Sequence, residues 1–330
     1  MDIFHETPAL DGRMCIPRRV QECTCAAYQN QCNRFTLCDP LSLCCATPRI
    51  PASCDGAPTT SRMPMDRATA IVTVLGFNSS HVRPSFTRRP FASYIDSVRL
   101  VMRLVISLRR VHTELPIVLL ASGERHAAYE AAIAAQGVTV VAGSEPAWRV
   151  PRWASPWARG SFVKLQVLAL TEYERIVVLD NDVVALRNID HLASSAVETP
   201  AFVLDQKMMN SGVMLLAPSA AEHARMQAFM QRNHSLHSVV RVGGGDQAVW
   251  HTFYPRTYEL PAGYNAAGIS NLSEADWARV HIAHPLGRGG CGSPHPARTS
   301  APACRRLMVK LTAEAAELLA KVKVSHGSTE

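Results

Sequence analysis

The chain has 330 residues and a formal net charge of +7, and 47% of its residues are hydrophobic. This length allows one large domain with appendages, or two domains. No run approaches the roughly 20 apolar residues that cross a bilayer, so no transmembrane segment is predicted. The positive net charge suits an anionic substrate such as a sugar nucleotide. The basic residues are scattered and form no stripe with aromatic residues, which argues against a nucleic-acid partner.

The first 66 residues are rich in cysteine and show no helical or strand periodicity. Eight of the ten cysteines lie between Cys15 and Cys54, and none belongs to the C-x-x-C pairs of common zinc sites. We predict that residues 1–66 are a poorly ordered extension, with a disulfide-stapled mini-domain as the alternative. The opening residues contain no apolar core of a secretory signal, which favours the cytosol over the Golgi or secretory pathway.

Apolar strands and amphipathic helices alternate through the next part of the chain. The predicted strands are 68–75, 117–121, 138–142 and 175–179, and the predicted helices are 91–112, 124–136 and 161–171. Residues 144–160 contain three prolines and three tryptophans and are predicted to be irregular. This alternation is typical of a doubly wound α/β sheet. No G-x-G-x-x-G follows the first strand, which argues against a dinucleotide-dependent oxidoreductase.

Shorter elements are predicted beyond residue 184. Apolar runs at 201–204 and 212–216 indicate strands, and 278–290 is expected to be a strand that runs into a polar, glycine-rich tail. Helices are expected at 220–232, within 242–254 and at 311–322, and 260–268 is expected to be a loop. The apolar spacing supports the helices, while the short runs fit buried strands.

The tripeptide Asp180-Asn181-Asp182 directly follows the apolar strand 175–179. Ligands of open α/β sheets bind beyond the carboxyl ends of the strands, and residues two apart in extended backbone point to the same side. Both carboxylates can therefore reach one hard cation, and Mg²⁺ or Mn²⁺ commonly bridges carboxylates to substrate phosphates. A polar turn without metal is the alternative, because Asp and Asn also favour turns.

Five separated motifs carry a family resemblance. They are VVLDNDVV around Asp180, MNSGVMLL at 209–216, GGDQAVWHTFY at 244–254, LPAGYN at 260–265 and HPLGR at 284–288. In this order, and with FVKL before the acidic tripeptide, they resemble glycosyltransferase family 8 and, within it, the glycogenin-like enzymes. The resemblance covers roughly residues 68–290. It implies a Rossmann-like GT-A fold, a single-domain mixed α/β sheet flanked by helices over residues 67–305, followed by a helix and tail at 306–330.

The resemblance also implies an activity and a cofactor. The expected reaction moves a hexose, glucose or a relative, from a UDP-sugar to an acceptor hydroxyl with retention of configuration, with Mn²⁺ as cofactor and Mg²⁺ as the alternative. Asp180 and Asp182 would be metal ligands and His284 the third, with His281 as its rival. The acceptor is left open among a glycan, a polyol, a lipid headgroup and a protein, and homodimerisation also stays open.

Further site residues follow from the same resemblance. Lys164, Asp246 and Gln247 form the predicted catalytic set, with Lys164 on the phosphates and the other two facing the donor sugar. The predicted nucleotide-sugar pocket consists of Asp180, Asn181, Asp182, Asp205, Asn210, Ser211, Gly212, Asn265, Gly287 and Arg288. Plain alternatives are a solvated surface lysine, a simple turn at 210–212, and helix capping by residues 246–247.

The sequence departs from the family in two places. The K-P-W expected after the histidine is replaced by GRGGCGSP, which weakens the assignment of Arg288 to the phosphates. Residues 268–280 contain no tyrosine, so self-glycosylation at that place is not predicted. The alternative functions are a sugar nucleotidyltransferase and a catalytically degenerate scaffold that binds a sugar nucleotide.

Overall fold

A computed structural model describes residues 69–77, 93–143, 154, 156–194, 199–205, 208–232, 245–254, 257–267, 280–284 and 302–322. The predicted Cys-rich extension and two predicted pocket residues, Gly287 and Arg288, lie outside these ranges. No helix in the described ranges is long and apolar enough to cross a membrane.

Ten strands and six α-helices are found in these ranges. The strands are β1 (Thr69–Phe77), β2 (Ile117–Gly123), β3 (Val138–Ala142), β4 (Arg175–Leu179), β5 (Val184–Ala185), β6 (Ala201–Asp205), β7 (Met208–Leu216), β8 (Tyr258–Leu260), β9 (Ala266–Ala267) and β10 (Ile282–His284). The α-helices are α1 (Tyr94–Arg110), α2 (Ala127–Ala134), α3 (His191–Ser194), α4 (Ala220–Arg232), α5 (Asp246–Phe253) and α6 (Pro302–Ala320). Two 3₁₀ helices span Pro156–Ala169 and Ala262–Tyr264.

Seven strands form one mixed sheet in the order β3-β2-β1-β4-β7-β6-β8. The first four are parallel, whereas β7 runs antiparallel to both β4 and β6. A second sheet contains β5, β10 and β9. This confirms the predicted mixed α/β sheet flanked by helices. The carboxyl end of β4 lies in the middle of the large sheet, where ligands of such folds bind.

Each face of the large sheet is covered by its own apolar cluster. On one face Ile71 and Leu75 of β1 pack with the buried residues of α1 and α6. On the other face Val72 and Val74 pack with the 3₁₀ helix Pro156–Ala169, α4 and α5. Neighbouring β1 residues alternate between two apolar cores, which explains why the strand is almost entirely apolar, with Thr73 as a buried polar residue in its middle.

The first 3₁₀ helix differs from the prediction in type and in its start. An α-helix was expected from 161 to 171, and 144–160 was expected to be irregular, yet the 3₁₀ helix already begins at Pro156. Residues 162–168 are all buried. Since every side of this segment is buried, its apolar residues fit a turn of three residues as well as one of 3.6.

Three other boundaries differ from the predictions. The strand expected at 212–216 is β7, which already begins at Met208, so the alternative of a simple turn at 210–212 is wrong. The stretch expected to be a loop at 260–268 contains the end of β8, a 3₁₀ turn and β9. The last helix begins at Pro302 rather than Leu311 and belongs to the same core as α1.

Candidate functional site

The acidic tripeptide forms a tight turn at the carboxyl end of β4. The Asp180 amide donates to the Gly212 carbonyl at 2.9 Å, and the Val183 amide donates back to the Asp180 carbonyl at 3.3 Å. The Asn181 side chain donates to the Val74 carbonyl of β1 at 3.3 Å. These backbone and amide contacts fix the turn between β1, β4 and β7. Its two carboxylates are thereby held at the ligand-binding edge of the sheet.

His284 reaches this turn through the small sheet. β10 pairs antiparallel with β5, which follows the tripeptide after only one residue, and the pairing sets Ala283 opposite Val184. Ligand atoms of Asp180, Asp182 and His284 consequently lie within 4.8 Å of one another. The His284 Nε2 atom is 3.2 Å from Oδ1 of Asp182.

His281, the rival candidate, lies in a different environment. Its ring stacks on Tyr264, with the ring centroids 4.5 Å apart, and its Nδ1 atom is 3.3 Å from the Asn188 carbonyl. It also meets the ring of His191 edge to face. The geometry therefore brings His284, and not His281, to the two aspartates.

Lys164 lies between carboxylates from different elements. Its ammonium is 2.7 Å from Oδ1 of Asp180 and 2.8 Å from Oδ2 of Asp246, and it donates to the Ser211 hydroxyl at 3.0 Å. The residue is only 3% exposed, so it is not the solvated surface lysine of the plain alternative. Burial opposes its charge, but Asp180 and Asp246 outweigh burial and hold the pKa of Lys164 above its usual range.

The predicted sugar-pocket residues of β7 lie at an irregularity of the strand. The register between β6 and β7 shifts after Phe202, so the residues around Ser211 leave regular pairing. The Ser211 amide donates to Oε1 of Gln247 at 3.3 Å, which connects β7 to the start of α5. Bulges of this kind redirect side chains and are common beside active sites.

Asp246 and Gln247 occupy the first turn of α5, whose N-cap residue is Gly245. A helix therefore does begin at these two residues, as the alternative of helix capping supposes. The Asp246 carboxylate, however, forms an ion pair with Lys164. Its backbone amide donates to the Ser161 hydroxyl at 3.4 Å. Asp246 is 5% exposed, so its charge faces a nearly dry part of the site.

Arg103 is a site residue that the sequence analysis missed. It lies on the buried face of α1, is 5% exposed, and donates to the backbone carbonyl of Asp182 at 3.1 Å. Burial lowers the pKa of Arg103 to about 10, against the attraction of Asp182. The available signal was an arginine among the apolar positions of an amphipathic helix, where a charge is rarely buried unless it has a partner.

The ionisable groups at the tripeptide shift one another's pKa values. Burial raises the pKa of Asp180 although Lys164 opposes this, and the neighbouring Asp182 carboxylate adds to the rise. Burial opposes the charge of Asp182, but His284 together with Lys164 and Arg103 outweighs burial and lowers its pKa. Burial likewise opposes the charge of His284, but Asp182 and Asp180 outweigh it and raise its pKa. Two carboxylates and one imidazole within coordinating reach fit a divalent ion that accepts oxygen and nitrogen, as Mn²⁺ does.

Of the remaining predicted pocket residues, only Asn265 has a described side chain. Asn265 contacts His284 and Asn210 through hydrogen bonds of 3.0 and 2.8 Å. For Asp205 only the backbone is described, as the last residue of β6. Gly287 and Arg288 lie outside the described residues, so the phosphate contact expected of Arg288 stays a prediction.

The amino-acid sequence matches part of several characterised proteins, while no family model matches the chain. Inositol phosphorylceramide glucuronosyltransferase 1 of Arabidopsis thaliana is 32% identical over 96 residues, which are 29% of this chain and 17% of the plant protein. Glycogenin-1 of Mus musculus is 29% identical over 143 residues, which are 39% of this chain and 40% of glycogenin. The chain is related in sequence to the family 8 glycosyltransferases. This confirms the family resemblance predicted from the motifs.

The fold is similar to that of solved glycosyltransferase structures. The apo-form glycosyltransferase GlyE of Streptococcus pneumoniae superposes with a TM-score of 0.50 at 12% identity, over 77% of this chain and 62% of GlyE. At this identity the likeness shows the fold alone, which is GT-A. The family 8-like chain spans less than half of each sequence relative named above.

Proposed function

We propose that this family 8-like chain is a metal-dependent glycosyltransferase. It moves a hexose, glucose or a close relative, from a UDP-sugar to an acceptor hydroxyl with retention of configuration. The observation that carries the proposal is the meeting of Asp180, Asp182 and His284 within 4.8 Å at the central strand end. The plant relative is named for transfer of a glucuronosyl group, a hexose derivative, which supports a donor of this class.

The reaction breaks the bond between the sugar and a diphosphate leaving group through an oxocarbenium-like transition state. A divalent cation bound by Asp180, Asp182 and His284 would supply positive charge to offset the charge that grows on the diphosphate. The backbone contacts of the tripeptide fix these ligands before the donor arrives. Arg103, on the carbonyl of Asp182, adds positive charge behind the turn.

The donor sugar would lie over β7 and the start of α5. We propose that Asp246 and Gln247, next to Asn210 and Ser211, bind its hydroxyls. Lys164 holds the Asp246 carboxylate in place through their 2.8 Å ion pair. A carboxylate fixed in a nearly dry site can stabilise the positive charge that develops on the sugar ring.

The test is release of UDP from UDP-glucose and UDP-glucuronate in the presence of Mn²⁺. We expect release by the wild-type protein and a loss of at least about 100-fold in Asp182→Ala, because one ligand of the cation is removed. Asp96→Ala is the matched control, since Asp96 is a partly exposed residue of α1 remote in sequence from the tripeptide. Absence of UDP release by the wild-type protein with both donors and a panel of glycan, polyol, lipid and protein acceptors would contradict the proposal.

A further inference from the structure

A chain of three hydrogen bonds connects the backbone of β7 to the imidazole of His284. The Gly212 amide donates to Oδ1 of Asn210 at 2.7 Å. The Asn265 side-chain amide donates to the same Oδ1 atom at 2.8 Å. The third contact joins Oδ1 of Asn265 to Nδ1 of His284 at 3.0 Å. These residues come from β7, from the segment between the second 3₁₀ helix and β9, and from β10.

The donor and acceptor roles in this series of hydrogen bonds all follow from its first donor, the Gly212 amide. A backbone N–H can only donate, so the Asn210 atom facing Gly212 is the oxygen. That oxygen is an acceptor, so the Asn265 atom facing it is the NH₂ group. The Asn265 oxygen then faces His284, and the Nδ1 atom of His284 must carry the proton that it donates. The remaining ring nitrogen, Nε2, is the one that faces Asp182 at 3.2 Å.

Packing leaves these groups little room to reorient. Asn210 is 8% exposed and Asn265 is 4% exposed. A Cβ atom on Gly212 would lie 2.8 Å from Oδ1 of Asn210 and 2.9 Å from two atoms of the His284 ring. Both the amide and the imidazole therefore pack directly on the backbone of Gly212, which explains why this position has no side chain.

We infer that Asn210 and Asn265 are positioning residues that fix the tautomer and the ring orientation of His284, so that its Nε2 atom is presented to a divalent cation. This inference rests on the metal site of the proposed function. It changes the role predicted for Asn265 from contact with the nucleotide sugar to support of a ligand. A metal-binding histidine usually donates its other ring N–H to such a partner, and loss of the partner typically weakens metal affinity 10- to 100-fold.

The experiment measures Mn²⁺ affinity by calorimetry on the full chain, without donor or acceptor. Asn265→Leu keeps the approximate size of the side chain but offers His284 no acceptor, and we expect the Kd to rise about 10- to 100-fold. Asn265→Asp restores an acceptor for Nδ1, although its second carboxylate oxygen would face the Asn210 oxygen, and should recover part of the lost affinity. Asn188→Ala is the matched control: this exposed asparagine donates to the carbonyls of Val111 and His112 just after α1.

The outcomes separate this inference from the proposed function. If wild-type protein binds no Mn²⁺, the metal site itself is wrong and the inference falls with it. If wild-type protein binds Mn²⁺ and Asn265→Leu binds it equally well, or no worse than Asn188→Ala, only the positioning role is wrong. If Asn265→Leu does not fold, the Mn²⁺ affinity of Gly212→Ala tests the positioning role instead. Its methyl group must displace the imidazole or the Asn210 amide, so unchanged affinity in that variant also overturns the inference.

Discussion

At the scale of single residues, the Lys164 side chain connects two elements of the site through ion pairs. Its ammonium contacts carboxylates of Asp180 and Asp246, which come from the end of β4 and the start of α5. The exposed fractions of the three side chains are 4%, 22% and 7%, respectively, so solvent screens the pair with Asp246 least. Removal of the lysine leaves a nearly buried carboxylate without its counter-charge, which is more costly than the pair is favourable.

We predict that Lys164→Met lowers the free energy of unfolding by about 3 kcal/mol or more, the usual effect of breaking a buried ion pair. Urea unfolding followed by circular dichroism measures the change. Lys321→Ala is the control, because Lys321 and Glu317 form a pair whose side chains are 66% and 73% exposed. Its loss should change stability by less than about 0.5 kcal/mol. Equal effects of the two substitutions would show that burial does not distinguish these pairs.

The sequence predicted some site residues better than others for a physical reason. The acidic tripeptide was predicted from the end of an apolar strand, since parallel strands carry ligands at their carboxyl ends. Residue type alone could not show that Lys164 is buried rather than on the surface, because its burial depends on carboxylates that lie elsewhere in the sequence. Arg103 was missed for the same reason, since its partner is a backbone carbonyl of the tripeptide.

At the scale of elements, β1 and the first 3₁₀ helix approach each other through two glycines. A Cβ atom on Gly160 would collide with the carbonyl oxygen of Gly76, and one on Gly76 would collide with the carbonyl oxygen of Gly160. The backbone of β1 cannot give way easily there, because Gly76 is paired with Ser122 of β2. The two backbones therefore touch directly, just before Lys164 in the chain, and a side chain at either glycine would have to push them apart.

We therefore expect Gly160→Ala to reduce the free energy of unfolding by about 1–3 kcal/mol, the range for forcing extra volume into a packed contact. Gly143→Ala is a matched control. The Cβ atom there would meet Oε1 of Gln166 and Cβ of Ser122 at 3.1 Å and the Ala121 carbonyl oxygen at 3.3 Å, all farther away than the Gly76 carbonyl oxygen would be from a Cβ atom on Gly160. Chemical unfolding of both variants tests the order, and a loss in Gly143→Ala as large as that in Gly160→Ala would contradict it.

Elements whose apolar pattern is one-sided were predicted closely. The helix α4 begins at Ala220 and ends at Arg232, and β3 spans Val138–Ala142, as the pattern indicated. The 3₁₀ helix was predicted as an α-helix because burial on all sides removes the periodic signal. The early start of β7 was missed since its polar residues Asn210 and Ser211 face the site rather than an apolar core.

At the scale of the whole molecule, the last described helix shares an apolar core with the large sheet rather than being an appendage to it. Leu311 and Ala315 of α6 are fully buried in the cluster that also contains the buried face of α1. Glu314 of the same helix forms an ion pair with Arg110 at the end of α1. The predicted boundary at 305/306 therefore falls inside a helix that closes one face of the sheet. One shared core favours unfolding of both parts in a single transition.

This arrangement predicts that Leu311→Ala destabilises the described fold as a whole, by about 3 kcal/mol, as deletion of a buried leucine side chain commonly does. The loss should appear as one shifted transition, coincident in far-UV and near-UV circular dichroism, because α6 and the sheet share an apolar cluster. Val309→Ala is the control on the same helix, since Val309 is 71% exposed and its truncation should cost less than about 0.5 kcal/mol. An early loss of helical signal in Leu311→Ala, while near-UV signal persists, would instead show that α6 detaches on its own and that the sheet is stable without it.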